Sequence, residues 1–584
     1  MGTGTHGIVR SPRRSRGRAT FRRALLGVAL VLVAWGVVVN VTGGFVLDLP
    51  WGRVSSRGAI RPLVGAGLLL LYYAVYLREH WRDDVPALAR VVPHSLAAAA
   101  IVSAIVTGEG WGTRIAGGPD ASGYVSQAAM LARGDLTMPA PRWIEGATWN
   151  EASASASPVG YRPAEVVTRL APTYAPGLPL IMAGFERAFG PAAVFYVVPL
   201  AGALGVWATW SLGRRLGSEW VGAIAAILIA TNPVFLMMLV QPMSDVPAAT
   251  FWTLSLAASL RGSSIAAGAS AAIAILVRPN LVPLTAVPLL LLIVRDSASR
   301  ARATLLFLAP VLVAAAMIAG LNWHYYGSPL KSGYGSLGDL YSLERVGTNL
   351  HRYATWFVTA HTPLLSIGVL APAFCASGGA RVTGLLVTTA FPLAVLASYL
   401  LYLVFFPEEW LYLRFLLPGY PALTVGCAIV VLAMAVRVAG RRGAVFATSL
   451  VVSGIAVYGW NYAMRQGLTN FRRADLRYAR SMAYVQRLPQ DSVIVSLAHS
   501  GPVRFYTGRE VLRFDAIAPA DIDRALAHAE TRGYTVCVIG DRFEIDMFRA
   551  RFAGTHTASR LAQAPGIDLG DTLAFPLGSP EGRR

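Results

Sequence analysis

The chain has 584 residues, 55% of them hydrophobic and only 14% charged, and its mean hydropathy of +0.51 lies above that of an ordinary soluble domain, so water is not its main solvent. A formal net charge of +20 would suit nucleic acid, but the bases cluster at the N-terminus and in short connections between apolar runs. Such loops face anionic headgroups, so the partner read from the charge is membrane lipid and nucleic acid is set aside.

The three cysteines, Cys375, Cys427 and Cys537, stand far apart, which argues against a disulfide framework and a zinc centre. Residues 1–23 form a basic arm carrying Arg10, Arg13, Arg14, Arg16, Arg18, Arg22 and Arg23. The apolar stretch from Ala24 to about Leu47 that follows is too long for a signal-peptide core and has no clear small-residue cleavage site, so it is predicted to be a retained first span.

A spanning helix needs about 20 apolar residues, because backbone polar groups cannot be left unpaired in lipid. On that rule spans are predicted near 24–47, 59–77, 88–107, 191–212, 219–240, 244–261, 263–279, 281–295, 303–324, 363–377, 382–406, 411–437 and 444–464. The fold class expected is thus a polytopic α-helical membrane protein of about thirteen helices, with its transmembrane domain at 24–464. Arginine-bearing connections alternate with long polar ones, 108–190 and 325–362, which predicts the N-terminus inside and the C-terminus outside the membrane. Beyond Arg465 charge rises. Segment 475–584 alternates strand and helix patterns (Ser492–Leu497, Val503–Tyr506, Val511–Phe514, Ala520–Thr531, Tyr534–Ile539) and is predicted to be a small α/β domain outside the membrane. No internal repeat is visible, which weakens an inverted-repeat transporter.

Polar groups concentrate in loop 108–190. Gly117-Gly118-Pro119-Asp120 opens a stretch with amphipathic helical spacing that includes Tyr124, and Asp120 there serves either as a helix cap or as a catalytic base. The run Pro172-Thr173-Tyr174-Ala175-Pro176-Gly177 leads to Phe189 as either a Pro-rich loop or a juxtamembrane helix. Asp245 stands at the outer end of a span, where an acid often merely reaches for water. Arg278 and Arg414 lie at outer span ends, against the positive-inside bias. Each offers a planar fork for a phosphate, and the plain alternatives are headgroup contact or pairing with Glu408 or Glu409. His499-Ser500-Gly501 follows a strand of the C-terminal segment, where either a loop cap or a functional group would sit.

Taken in order, these segments resemble the GT-C superfamily of polyprenyl-phosphate-sugar-dependent glycosyltransferases, in its protein-mannosyltransferase and aminoarabinose-transferase-like branch, over about residues 88–437. The matching positions are Asp120 and Tyr124 with the helix to Arg133-Gly134-Asp135, Pro172 to Gly190, Gly213-Arg214-Arg215, Asp245, and Arg414-x-Leu416-x-Pro418. The resemblance implies a transferase moving a hexose or pentose from a polyprenyl-phosphate donor to an acceptor hydroxyl on a glycan, lipid or protein, at the outer face of a bacterial inner membrane. It implies Asp120 as general base, with Tyr124, Tyr174, Asp245, Arg278, Arg414 and Arg169 contacting substrate. Family members often carry two adjacent acids where this chain has Asp120-Ala121, so no metal-binding pair is evident, and a divalent metal is left open. Arg169 stands nearest to the place where they often carry a lysine. The rival readings are a transporter or lipid flippase, which would want charges at mid-span, and a non-catalytic scaffold.

Overall fold

A computed structural model of the protein describes residues 12–42, 44–49, 52–56, 58–295, 300–404 and 409–578. Arg10, Glu408 and the first part of the basic arm lie outside the described residues, as do residues 579–584 of the C-terminal segment. The remainder of the arm and the expected first span form one helix, α1 (Pro12–Thr42). The span ends sooner than expected: Gly44 takes φ +88°, and a hairpin of β1 (Phe45–Leu49) and β2 (Gly52–Ser56) follows. Two further helices, α2 (Ile60–Tyr76) and α3 (Trp81–Trp111), pack with α1. Buried Asp84 ties all three together, accepting from Arg22 Nε and Tyr73 Oη at 2.9 Å each, as a buried carboxylate must be paired.

The protein is a multi-pass helical membrane protein. Among the described residues five helices are long and apolar enough to cross a membrane, and eight if each of three bent pairs counts as one span. Their outward surface is apolar: on helix Arg300–Tyr326, Leu305, Leu312 and Val313 are exposed, which water would penalise and lipid does not. Several apolar runs are broken within the fold. Run 219–240 bends by 62° between Glu219–Ala230 and Pro233–Leu239, where the Asn232 side chain caps the second piece by accepting from Phe235 N. Runs 263–279 and 281–295 are short helices, Ser264–Val277 and Ala286–Arg295, joined by a 3-10 stretch at Pro279–Thr285. The expected loop 325–362 holds a helix, Arg345–His361, which meets the 3-10 stretch Pro363–Phe374 at 101°.

Gly368 on that 3-10 stretch and Gly426 on the long helix Tyr420–Arg465 let two backbones touch, because a methyl group on Gly426 would fall on the Gly368 carbonyl. Small residues at such crossings allow helices to approach closely. Gly426→Ala is therefore expected to destabilise the protein by about 1–3 kcal/mol through overpacking, read as a lowered unfolding temperature in detergent.

The loop at 108–190 is ordered around α4 (Pro119–Ala132) and a three-stranded sheet of β3 (Met138–Pro139), β4 (Tyr161–Pro163) and β5 (Arg169–Pro172), with β5 in the middle. The C-terminal domain is a five-stranded sheet of β6 (Ser492–Ser496), β7 (Glu510–Arg513), β8 (Thr535–Asp541), β9 (Ile567–Asp568) and β10 (Thr572–Pro576), ordered β7-β6-β8-β10-β9. Its first three strands are parallel and β10 is antiparallel to both neighbours. Trp143 and Trp149 of the loop are buried in the core of this domain beside Leu512, Phe514 and Leu526. The loop and the C-terminal domain therefore share one side of the transmembrane helices.

Candidate active site

The first turn of α4 carries Asp120, and the turn is built by glycine and proline. Gly118 holds the cap position at φ +66° and Pro119 opens the helix, a backbone angle that favours glycine and a first-turn proline whose missing N–H is no loss. Asp120 itself does not cap the helix. Its carboxylate points away from the backbone: Oδ1 accepts from Tyr174 Oη at 2.8 Å, and Oδ2 accepts from both terminal nitrogens of Arg414 at 3.1 Å. The partner of Arg414 is thus Asp120, 294 positions away in the chain, and not Glu409.

A second acid–arginine pair lies beside the first. Asp245 opens the helix Asp245–Ser259, is wholly buried, and accepts from Arg278 at 2.5 Å. Arg278 also donates to Ser244 Oγ at 3.2 Å and Tyr399 Oη at 3.4 Å. It stands at the end of helix Ser264–Val277, where Pro279 forces the chain out of the α-helix. Ser244 links the pairs by accepting from Tyr124 Oη at 2.9 Å, and the Tyr124 ring lies 4.5 Å from that of Tyr174. Both guanidinium carbons sit 5.4 Å from the ring centre of Phe415, a cation–aromatic arrangement that holds the two cations near one another.

These groups border a cavity of about 480 Å³ lined by Asp120, Tyr124, Asp245, Arg278, Arg414 and the backbone of Gly117-Gly118, among others. Tyr174 reaches it through Asp120. Arg169 does not: it begins β5 and donates to the Thr137 side chain and carbonyl at 2.9 and 2.8 Å, which fastens β5 to the chain before β3. The cavity wall also holds Asn280, Tyr334, Tyr399, Tyr402, Glu409 and Phe415, of which Tyr334, Tyr399 and Tyr402 carry no sequence signal that separates them from interfacial anchors. Tyr334 reaches the wall because Gly333 lies flat on the backbone of Thr173. Burial, and then the charge of Asp120, hold the phenols of Tyr124 and Tyr174 above their ordinary range, so both stay protonated donors at neutral pH.

Each of the two aspartates at the cavity has a guanidinium partner, so a divalent metal bound to them would compete with Arg278 and Arg414. Among the described residues the one group of metal-ligating side chains whose ligand atoms lie within 4.8 Å of one another is His499, Asp541 and Glu544 in the C-terminal domain. There the two Glu544 oxygens accept the N–H groups of Ala498 and Asp541 at 2.9 and 3.0 Å, and Arg477 lies 3.4 Å from Asp541, so both carboxylates of that cluster already have partners.

Residues 174–323 match the family model of dolichyl-phosphate-mannose-protein mannosyltransferases. No curated protein matches the sequence. In three dimensions the chain is similar to ArnT from Cupriavidus metallidurans bound to undecaprenyl phosphate, at 14% identity and a TM-score of 0.54, covering 84% of this chain and 98% of that one. The apo state of the same protein gives 15% identity and a TM-score of 0.51, with the same coverage. The Archaeoglobus fulgidus oligosaccharyltransferase is also similar, at 12% identity, 82% and 72% coverage and a TM-score of 0.49. The family match over 174–323 and a fold shared with ArnT over most of the chain support assignment to the GT-C superfamily of membrane glycosyltransferases.

Proposed function

We propose that the protein transfers a sugar from a polyprenyl-phosphate donor to an acceptor hydroxyl, with Asp120 as general base, at the outer face of the cytoplasmic membrane. The N-terminus is then inside and the C-terminal domain outside, as the distribution of arginine among the loops favours. One observation carries the reading: a carboxylate from the first polar loop and guanidinium groups from two distant helices border a single cavity. ArnT, whose fold this chain shares, has been seen with undecaprenyl phosphate, which supports a lipid-linked donor.

The two arginines have different freedom. Arg278 is locked by Asp245, Ser244 and Tyr399, whereas Arg414 is held mainly by Asp120. A donor phosphate entering the cavity offers Arg414 a second anion, to which a guanidinium fork binds in a bidentate manner. As the guanidinium turns to the phosphate, Asp120 Oδ2 becomes available to an acceptor hydroxyl. Asp120 takes the hydroxyl proton, the oxygen attacks the anomeric carbon, and the bond to the phosphate oxygen breaks with the lipid phosphate leaving as an anion against the arginines. Because phosphate is a good leaving group no separate acid is required, and a single displacement inverts the anomeric centre.

Tyr174→Phe removes the second hydrogen bond on Asp120. A bond to a charged group is worth about 1.5–3 kcal/mol, so turnover is expected to fall roughly 10- to 100-fold with little change in donor binding. The reading itself is tested in proteoliposomes carrying radiolabelled polyprenyl-phosphate hexoses and pentoses. Label moving to an acceptor hydroxyl supports it. Label crossing the vesicle unchanged favours a flippase, and label staying in place favours a scaffold.

A further inference from the structure

The His499-Ser500-Gly501 segment has no part in the reaction just described, yet it sits against the helix that carries Asp120. Adjacent parallel strands β6 and β8 bring their ends together, so His499, shortly after β6, meets Asp541 at the end of β8. His499 is wholly buried and its Nε2 lies 3.0 Å from Asp541 Oδ1. Burial alone would raise the Asp541 carboxyl, but the bond from His499 and the charges of His499 and Arg477 hold it below the usual carboxylate range. On the other side of the imidazole stands Tyr478, ring centres 4.7 Å apart, with the Arg477 guanidinium 4.9 Å over the same ring.

Tyr478 also touches the entry to α4. Its ring leaves no room for a methyl group on Gly117, and its Oη lies 3.4 Å from where a Cβ of Gly118 would stand. Gly118 is the cap residue of α4, so the ring presses on the backbone two residues before Asp120. Three further contacts hold the same region. Tyr506 Oη accepts from Ala116 N at 2.8 Å, Ser500 Oγ accepts from Val159 N at 3.1 Å, and Gly501 lies against the Ser122 side chain with no space for a Cβ.

We infer that the C-terminal α/β domain is part of the transferase machinery, and that Tyr478, fixed by the His499–Asp541 pair, is a positioning residue that sets the start of α4 and through it the carboxylate of Asp120. Accurate placement of a reacting group matters steeply, since a shift of about 1 Å can cost about 100-fold in rate. The glycine pair at 117–118 accepts the Tyr478 ring closely.

The inference rests on Asp120 being the base, and its test separates the two claims. Tyr478→Ala is expected to lower turnover of radiolabelled polyprenyl-phosphate sugar by about 100-fold while undecaprenyl phosphate binds as before, because the arginines are untouched. Tyr478→Phe, which keeps the ring, is expected to restore near-normal turnover. In the double variant Asp120→Asn/Tyr478→Ala the loss should equal that of Asp120→Asn alone, since groups acting as one unit are not additive; losses that multiply overturn the inference. Hydrogen exchange gives a reading independent of activity. Tyr478→Ala should speed exchange of amides 117–124 while β6 and β8 stay protected, and unchanged exchange at α4 overturns the inference whatever Asp120→Asn does. Full turnover in Asp120→Asn together with faster exchange at α4 removes the base role and keeps the support of the helix. Gly117→Ala, which drives a methyl group into the Tyr478 ring from the other side, is expected to give the same pair of effects without altering the domain.

Discussion

Asp120→Asn is expected to reduce sugar transfer by about 100- to 10,000-fold, the range for loss of a positioned general base. The amide keeps the volume of the carboxyl group and still accepts a hydrogen bond from Tyr174, but it cannot take the proton of an acceptor hydroxyl, nor offer Arg414 a full negative charge. The fold should survive. The Asp120 side chain is 34% exposed and that of Arg414 21%, so the pair is solvent-screened and its removal should change stability by less than about 1 kcal/mol. Donor binding should tighten or stay level, because Arg414 no longer has to leave a carboxylate before meeting a phosphate. Turnover within a factor of a few of the parent, measured on protein with an unaltered unfolding temperature, would remove Asp120 from the reaction.

How much of this was legible in the sequence depends on the kind of residue. Asp120, Asp245, Arg278 and Arg414 could be singled out because charge at the ends of apolar runs is costly and needs a reason. Their pairing could not. Asp120 and Arg414 are 294 positions apart, and spacing alone offered Arg414 the nearer Glu408 or Glu409. The cavity tyrosines Tyr334, Tyr399 and Tyr402 were hidden for the opposite reason, since tyrosine near a membrane interface is common and carries no mark of a site. The small α/β domain was legible from alternating runs, and β6, β7 and β8 fall where those runs lie. The short strands β9 and β10 did not stand out. Helix Arg345–His361 was missed because its apolar residues, including Tyr353, Phe357 and Ala360, form one face of a polar segment and never a continuous run. Gly440, with φ +65°, breaks Tyr420–Arg465 into two helices, and the break falls within the arginine-bearing connection expected between the spans at 411–437 and 444–464.

Asp245→Ala is expected to be the most destabilising single change at the site, and the reason lies in burial. The Asp245 side chain is wholly buried and that of Arg278 only 10% exposed, so truncating the acid leaves a guanidinium charged, desolvated and unpaired. Breaking such a pair by removing one partner costs about 3–5 kcal/mol, far more than the loss at the half-open pair of Asp120 and Arg414. Neutralising both partners should be milder. In Asp245→Asn/Arg278→Gln the two amides can bond to one another and to Ser244 and Tyr399, so the double variant is expected to recover a large part of the stability lost in Asp245→Ala. It should remain impaired in transfer, because one of the two cations facing the cavity is gone. Thermal unfolding in detergent reads the first effect and transfer from a radiolabelled donor the second. An unfolding temperature in Asp245→Ala equal to that of the parent would mean that Arg278 finds another anion or water, and that the two acid–arginine pairs do not differ in kind.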